Sequence, residues 1–595
     1  MKLLVPYVGE VQPADARLIR LAEFLGIECE LLSLAKSVKQ WVGYVDSAIS
    51  DRASCLVVNP RVLQEWTGAD EMPADLALFF QAHFSHILLH SPRPDSFDSS
   101  VLTELSCGYL DGVQGIESSA QSYEILPDSK DVCEAFAGLS FGPVNPGSDR
   151  TFTISADTSA LRQLISIAGR PFMAVMRRED TNLWFLGCED IADLNEEVGN
   201  APLSEYFSRL VPHAMALRSI FGEQCWRPSE QHACVIVDDP LLQQDYGFLN
   251  FESLLGLMTQ HNFHTTIAFI PHNFKRSAPT ITRMFKENGG RFALCFHGND
   301  HTAAELASVD TTQLNTMLEV AENRMNVHER LTGVGCDRVM VFPQGNFSFE
   351  AMTVLKSRNF DAAVNTVPNP MHCDNRLTIG EIAQPALLRY GNFPLFLRKD
   401  SLHTQDVDIA FNCFFGRPVL IVEHHNIFRN PEPLVEAVKR VNLIAPKIRW
   451  SNVGDLVSKS TLRLRAPDGS YHVRAYSRSV QVSNDSGIVQ RCLIEWKQSG
   501  QSSALDDQVL QDGKPCGSYT LGDGVIRVSV DLLPGNSREF SVVHQNTHEK
   551  MDTLGFRWNV KAFVRRRLSE LRDNYFSKSS WVLAAAKALQ RCLPH

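Results

Sequence analysis

The chain has 595 residues, of which 44% are hydrophobic and 21% charged, with a formal net charge of −11. This length suits roughly three or four domains, each able to bury its own core, and the composition excludes a disordered or fibrous chain. The acidic balance offers no global attraction to nucleic acid or to an anionic membrane, and no run of about eighteen apolar residues marks a membrane span. The fourteen cysteines are scattered without a C-x-x-C pair, which argues against a zinc ribbon and for a reducing compartment. The opening apolar run is too short for a signal-peptide core, so the expectation is a cytoplasmic protein.

Residues 1–228 read as an open α/β domain. Short apolar strands at 3–8, 27–32, 55–58 and 86–89 alternate with helical spacing such as that over 13–25, the rhythm of a parallel sheet. A hairpin follows at 171–176 and 183–187, then an amphipathic helix over 203–221. The domain has neither G-x-G-x-x-G nor a phosphate loop. By fold analogy it is amidotransferase-like or flavodoxin-like without a catalytic motif, and Cys188 reads as a structural thiol.

Residues 229–458 repeat strand and helix for seven or eight units, enough to close a barrel whose chemistry sits at the C-terminal strand ends. Residues 459–548 alternate polar and apolar positions between turns at Asp468-Gly469 and Asp523-Gly524, as a β-sandwich does. Residues 549–595 form a basic helical tail, with Arg565-Arg566-Arg567 and an apolar run at 581–586. This tail either packs on the body or makes a peripheral membrane or partner contact.

Two strand ends carry the chemistry. The apolar run 233–237 ends in Asp238-Asp239, and the run 291–296 ends in His297-Gly298-Asn299-Asp300-His301. A carboxylate and two imidazoles can hold one divalent ion and leave positions open for water and substrate. The second carboxylate is then available as a base on the bound water. A further apolar strand, 418–422, leads to Glu423, His424 and His425, either imidazole of which can supply a proton near neutral pH. A facial Asp-His-His set accepts zinc, cobalt, iron or nickel.

Over roughly residues 230–455 the sequence resembles the polysaccharide deacetylases, the NodB-homology or carbohydrate esterase family. Val235-Ile236-Val237-Asp238-Asp239-Pro240 matches the family's first motif, with Pro240 where glycine is usual. His297 and His301 match H-x-x-x-H, and Leu420-Ile421-Val422-Glu423-His424 matches the last motif. Val341-Phe342-Pro343-Gln344-Gly345 keeps the proline and glycine of R-x-P-aromatic-G but has neither its aromatic nor the arginine that braces the catalytic aspartate. The resemblance implies a (β/α) barrel of seven or eight units in which Asp238 is the general base and Asp239, His297 and His301 hold a divalent metal, zinc first among them. His424 would be the general acid, with His425 competing for that role. Pro343, Gln344 and His272 are candidate substrate contacts, with Asp245 and Tyr246 on the rim.

The implied activity is metal-dependent removal of an N-acetyl or other acyl group from a carbohydrate or glycoconjugate precursor. Two alternatives stay open: a non-catalytic carbohydrate-binding or scaffold protein with a degenerate barrel, and a hydrolase of a non-sugar amide.

Overall fold

The computed structural model describes residues 1–34, 54–155, 160–199, 203–302, 304–373, 376–497, 507–544 and 556–576. The chain is mixed α/β, and two large sheets with parallel strands position everything discussed below.

The first is a nine-stranded sheet. It comprises β1 (Leu3–Tyr7), β2 (Cys29–Ser33), β3 (Cys55–Val58), β4 (His86–Leu89), β5 (Tyr123–Ile125), β6 (Ser140–Phe141), β7 (Leu161–Ile167), β8 (Arg170–Arg178) and β9 (Thr181–Leu186). Their order is β2-β1-β3-β4-β9-β8-β7-β5-β6. The pairs from β2 to β9 are parallel, and β9, β8 and β7 pair antiparallel as a meander. Helix α1 (Pro13–Phe24) connects β1 to β2, and α2 (Pro60–Thr67) follows β3. The order reverses between β1 and β3, which opens a crevice beyond their C-terminal ends.

The second large sheet runs through β10 (His232–Asp238), β11 (Thr265–Phe269), β12 (Phe292–Phe296), β13 (Asp337–Val341), β14 (Ala362–Asn365), β15 (Leu395–Leu397), β16 (Lys399–Asp400) and β17 (Val419–His424). The order is β15-β14-β13-β12-β11-β10-β17-β16, and every step is parallel. The outermost members are two halves of one extended stretch: β15 pairs with β14, β16 pairs with β17, and Arg398 lies between them. The sheet path therefore returns on itself at Arg398.

The strands read as continuous apolar runs because both faces are covered. Along β10, Ala233, Val235 and Val237 join the large outer core, while Cys234 and Ile236 join a small inner cluster with Ala268, Cys295, Val339, Val341, Val364, Phe396 and Leu420. The outer core is continuous from Leu3 and Leu18, through Phe207 on helix α3 (Phe207–Phe221), to Ile421 and Val438. Arg218 of α3 donates to the Phe414 carbonyl at 2.6 Å, so the first sheet's helix is fastened to the second sheet's surroundings.

Beyond residue 459 two antiparallel-rich sheets enclose a core of Val480, Ile494, Val509, Ile526 and Phe540. The short strand Arg227–Pro228 pairs with Thr461–Arg465, so a segment before the second large sheet belongs by hydrogen bonding to this later one. Helix α4 (Phe556–Leu571) ends the described chain with a turn at Arg572–Phe576. The apolar run at 581–586 lies outside the described residues.

Candidate metal and catalytic site

Strand alternation aims the functional side chains. Cys234 and Ile236 face the inner cluster, so Asp238, two residues on, faces the same way. Leu420 does likewise on β17, which turns Val422 and His424 inward. Asp238 and His424 are register partners on adjacent strands. The His424 imidazole Nε2 stands 4.0 Å from Asp238 Oδ2, with its side chain 58% exposed toward the open end.

Asp239 leaves β10 with φ +80°, and His301 has φ +54°. Left-handed backbone at residues with a side chain is strained and is retained where the surroundings over-determine it. Here it brings Asp239 Oδ1 to 3.4 Å from His297 Nε2 and 3.2 Å from His301 Nε2. The ligand atoms of the three residues lie within 4.8 Å of one another. His297 Nδ1 is 3.0 Å from the Val341 carbonyl. A carbonyl only accepts, so Nδ1 carries the proton and Nε2 is left as a lone-pair donor aimed at Asp239 and His301, as a metal-binding imidazole requires. One carboxylate oxygen and two imidazole nitrogens on one point are a fitting donor set for a divalent ion.

The loop between the two histidines is fixed by Glu305, a residue the sequence reading did not single out. Its carboxylate is buried and accepts the backbone N–H groups of Asn299 (2.9 Å), Asp300 (3.1 Å) and His301 (3.0 Å). Gly298 makes this possible: with φ +65°, a Cβ there would lie 1.9 Å from Glu305 Oε1. Glycine directly after His297 was the available signal.

Asp238 has an arginine partner after all. Motif three lacks one, but Arg398 donates from both terminal nitrogens to the two Asp238 oxygens, each at 2.6 Å, with both side chains buried. Burial alone would raise the Asp238 carboxyl. Arg398 first, then His297 and His424, outweigh it and hold the group below the ordinary carboxylate value. The expectation that this aspartate lacks a bracing cation is therefore corrected. The cation comes from the closing strand, 160 residues from the aspartate, with no motif around it.

His425 does not join this cluster. It lies past the end of β17, buried, with Nε2 3.5 Å from Asp573 of the C-terminal segment. Its ring meets Tyr246 edge-on, and a Cβ on Gly247 would lie 2.1 Å from its Nδ1. Asp573 also accepts the Tyr246 hydroxyl at 2.8 Å, Asn574 accepts the Gly247 N–H at 2.7 Å, and Arg276 pairs with Glu570. The described part of the tail, 556–576, thus lies as a strap over one rim of the site. Its proximity was not legible in its composition.

Of the three candidate substrate contacts, Pro343 is buried and packs against Gly298. Gln344 is exposed at φ +59° on the strand-end loop. His272 is turned toward the loop, its Nδ1 2.9 Å from Asp300, which also accepts from Arg324 at 2.6 Å.

No family model matches the sequence, and no curated protein sequence matches it. Carbohydrate deacetylases are among the solved structures to which the chain is similar. Agd3, described as a novel carbohydrate deacetylase, is 10% identical over 91% of this chain and 99% of its own, with a TM-score of 0.49. A family 4 carbohydrate esterase from Streptomyces lividans in complex with acetate is 13% identical over 38% of this chain and 94% of its own, with a TM-score of 0.24. Puue allantoinase is 13% identical over 38% of this chain and 88% of its own, with a TM-score of 0.25. Likenesses of this degree leave the chemistry to the residues themselves.

Proposed function

We propose that this chain is a metal-dependent hydrolase that removes an N-acetyl or related acyl group from a carbohydrate or glycoconjugate precursor. In this reading residues 229–458 form a deacetylase-like barrel, flanked by the α/β domain 1–228, a β-sandwich at 459–548 and the helical tail. The observation that carries it is an ionised Asp238, locked by Arg398, beside three convergent ligand atoms and a facing His424.

Asp239, His297 and His301 would hold the ion, which when bound acidifies a water and polarises the acyl carbonyl. Asp238 accepts the proton of the attacking water, and its bidentate partner keeps the carboxylate charged and oriented for that transfer. His424, on the adjacent strand end and open to solvent, delivers a proton to the leaving nitrogen as the carbon–nitrogen bond breaks. Acetate and a free amine result. Arg398 supplies the brace whose absence favoured a non-catalytic barrel, so the catalytic reading is preferred.

Metal analysis of the purified protein, paired with acetate release from acetylated amino-sugar oligomers, tests this. Near-stoichiometric divalent metal and acetate release, the latter lost in Asp238→Asn while metal is retained, is the expected result. Wild-type protein that binds no metal after reconstitution would remove the mechanism.

Among the described residues no helix is long and apolar enough to cross a membrane. We further propose zinc as the resident metal, with cobalt, iron or nickel as alternatives, and a cytoplasmic substrate pool. Metal exchange and fractionation address these points.

A further inference from the structure

The crevice of the first sheet holds a second constellation that the proposed deacetylase chemistry does not use. Strand β4 ends in His90-Ser91. Ser91 has φ +55°, a left-handed conformation that a serine adopts only under constraint. The kink brings Ser91 Oγ to 2.9 Å from His90 Nδ1. On the other side of the ring, His90 Nε2 lies 2.8 Å from Asp15 Oδ1, in the first turn of α1. Asn59, the N-cap of α2, donates to that same oxygen at 3.1 Å. Asp15 and His90 are fully buried, and Asn59 and Ser91 nearly so.

The three connections come from the C-terminal ends of β1, β3 and β4, around the point where strand order reverses. Open α/β sheets bind ligands there. A cavity of about 380 Å³ occupies the crevice, with Ser91, Asn59, Arg17, Arg61 and Ser148 in its wall. That volume suits a small ligand.

The two contacts of the His90 ring favour one placement of its proton. His90 Nε2 stands 2.8 Å from the acceptor-only Asp15 carboxylate, a close ionic contact off the line of a hydrogen bond, and with the ring proton on that nitrogen Nδ1 is the acceptor for the Ser91 hydroxyl. This is the division of labour in a serine–histidine–aspartate relay, with the two ring nitrogens exchanged relative to the familiar arrangement.

We propose that this crevice is a second, metal-independent nucleophilic site that takes the acyl group of a small ester. Ser91 Oγ attacks the acyl carbon as His90 Nδ1 accepts the hydroxyl proton. The ester oxygen leaves with that proton as an alcohol. Water then attacks the acyl-serine, again giving its proton to His90, and the carboxylic acid departs as the proton returns to Ser91. Pro92 follows the nucleophile and has no N–H, so the usual oxyanion donor at that position is missing. Arg17 and Arg61, whose guanidinium groups pair with Asp190 and Glu189 at the cavity wall, are the donors placed to serve instead.

The test uses full-length protein in the Asp238→Asn background, which silences the proposed deacetylase centre. A biotinylated fluorophosphonate is the probe, the adduct is mapped by mass spectrometry, and p-nitrophenyl acetate hydrolysis is followed in parallel. The expected result is one adduct on Ser91, unaffected by a chelator, with labelling slowed at least about 100-fold in His90→Ala. Ser91→Cys keeps the volume and should instead be alkylated by iodoacetamide at residue 91, at a rate that falls when His90→Ala is added. No adduct on Ser91 in the parent together with no His90-dependent alkylation of Ser91→Cys would overturn the proposal, whatever the state of the metal site.

Discussion

The two crevices stand at equivalent places, beyond the C-terminal ends of parallel strands, and both hold residues in left-handed backbone. They differ in how their polar groups are arranged. In the second sheet Asp239, His297 and His301 converge on one point, an arrangement that would suit a divalent cation. In the first sheet Asp15, His90 and Ser91 stand in a row, with successive contacts of 2.8 and 2.9 Å and a hydroxyl at one end. Convergence is the geometry of coordination and a row is the geometry of proton transfer. The same strand-end device serves both because strands fix the origin of each side chain while short loops set its direction.

The largest expected separation between the two sites is in turnover. Asp238→Asn should lower acetate release by about a thousandfold while metal stoichiometry stays near wild type. Ser91→Ala should leave acetate release unchanged. A fall in both would mean that the crevices are one system.

Metal removal should split them again. His297→Ala with His301→Ala should lose bound metal and acetate release, yet keep fluorophosphonate labelling. Loss of labelling in the double variant would break the distinction drawn here.

Next in size is a stability effect. Arg398→Met leaves the Asp238 carboxylate buried without its cation, a change of about 3–5 kcal/mol, read in denaturant unfolding. Adding Asp238→Asn should restore most of that loss. An additive double variant would show that the pair does not interact as its 2.6 Å contacts imply.

The smallest effect belongs to the rim. Burial would raise the Asp573 carboxyl, but His425, Arg572 and Tyr246 hold it down at about 2, against an unfolded value of about 3.9. Its stabilisation of the docked strap is therefore complete above about pH 4 and is lost as pH falls toward 2, up to about 2–3 kcal/mol. Proteolysis of the 556–576 segment followed against pH should rise over that window, and Asp573→Asn should flatten the rise. A rise centred near neutrality would assign the strap to other groups.

What was legible in the sequence follows from the range of each interaction. Asp238-Asp239 and His297 to His301 announce themselves because each cluster lies within five residues at the end of an apolar strand. Arg398 sits in Leu395-Phe396-Leu397-Arg398-Lys399-Asp400, where nothing distinguishes it from a strand-end cation until the sheet path returns to β17. Asp573 reaches Tyr246 across 327 residues and reads locally as one acid in a basic helix. Asp15 was disguised as an ordinary acidic residue in a helix's first turn, and His90-Ser91 as the polar end of a strand. The proposed second site thus carries no contiguous signature, since Asp15 and His90 are brought together only by the parallel order of the first sheet. The choice between His424 and His425 needed the inward or outward phase of β17, which period-2 alternation from Leu420 supplies once the inner cluster is known.

Arg398 also has a meaning for assembly. It lies between the half-strand paired with β14 and the half-strand paired with β17, so sheet closure and neutralisation of Asp238 are one event. Sliding the 395–400 stretch by one residue would turn Leu397 or Lys399 inward and point Arg398 away. Asp238 would then be stranded among Ile236, Val422 and their apolar neighbours. An inner cluster of apolar side chains discriminates poorly between neighbouring registers, whereas an unpaired carboxylate inside it is heavily penalised. The ion pair thus acts as a key for strand alignment, and the charge that keeps the Asp238 carboxylate ionised also favours the one closure in which that carboxylate is paired.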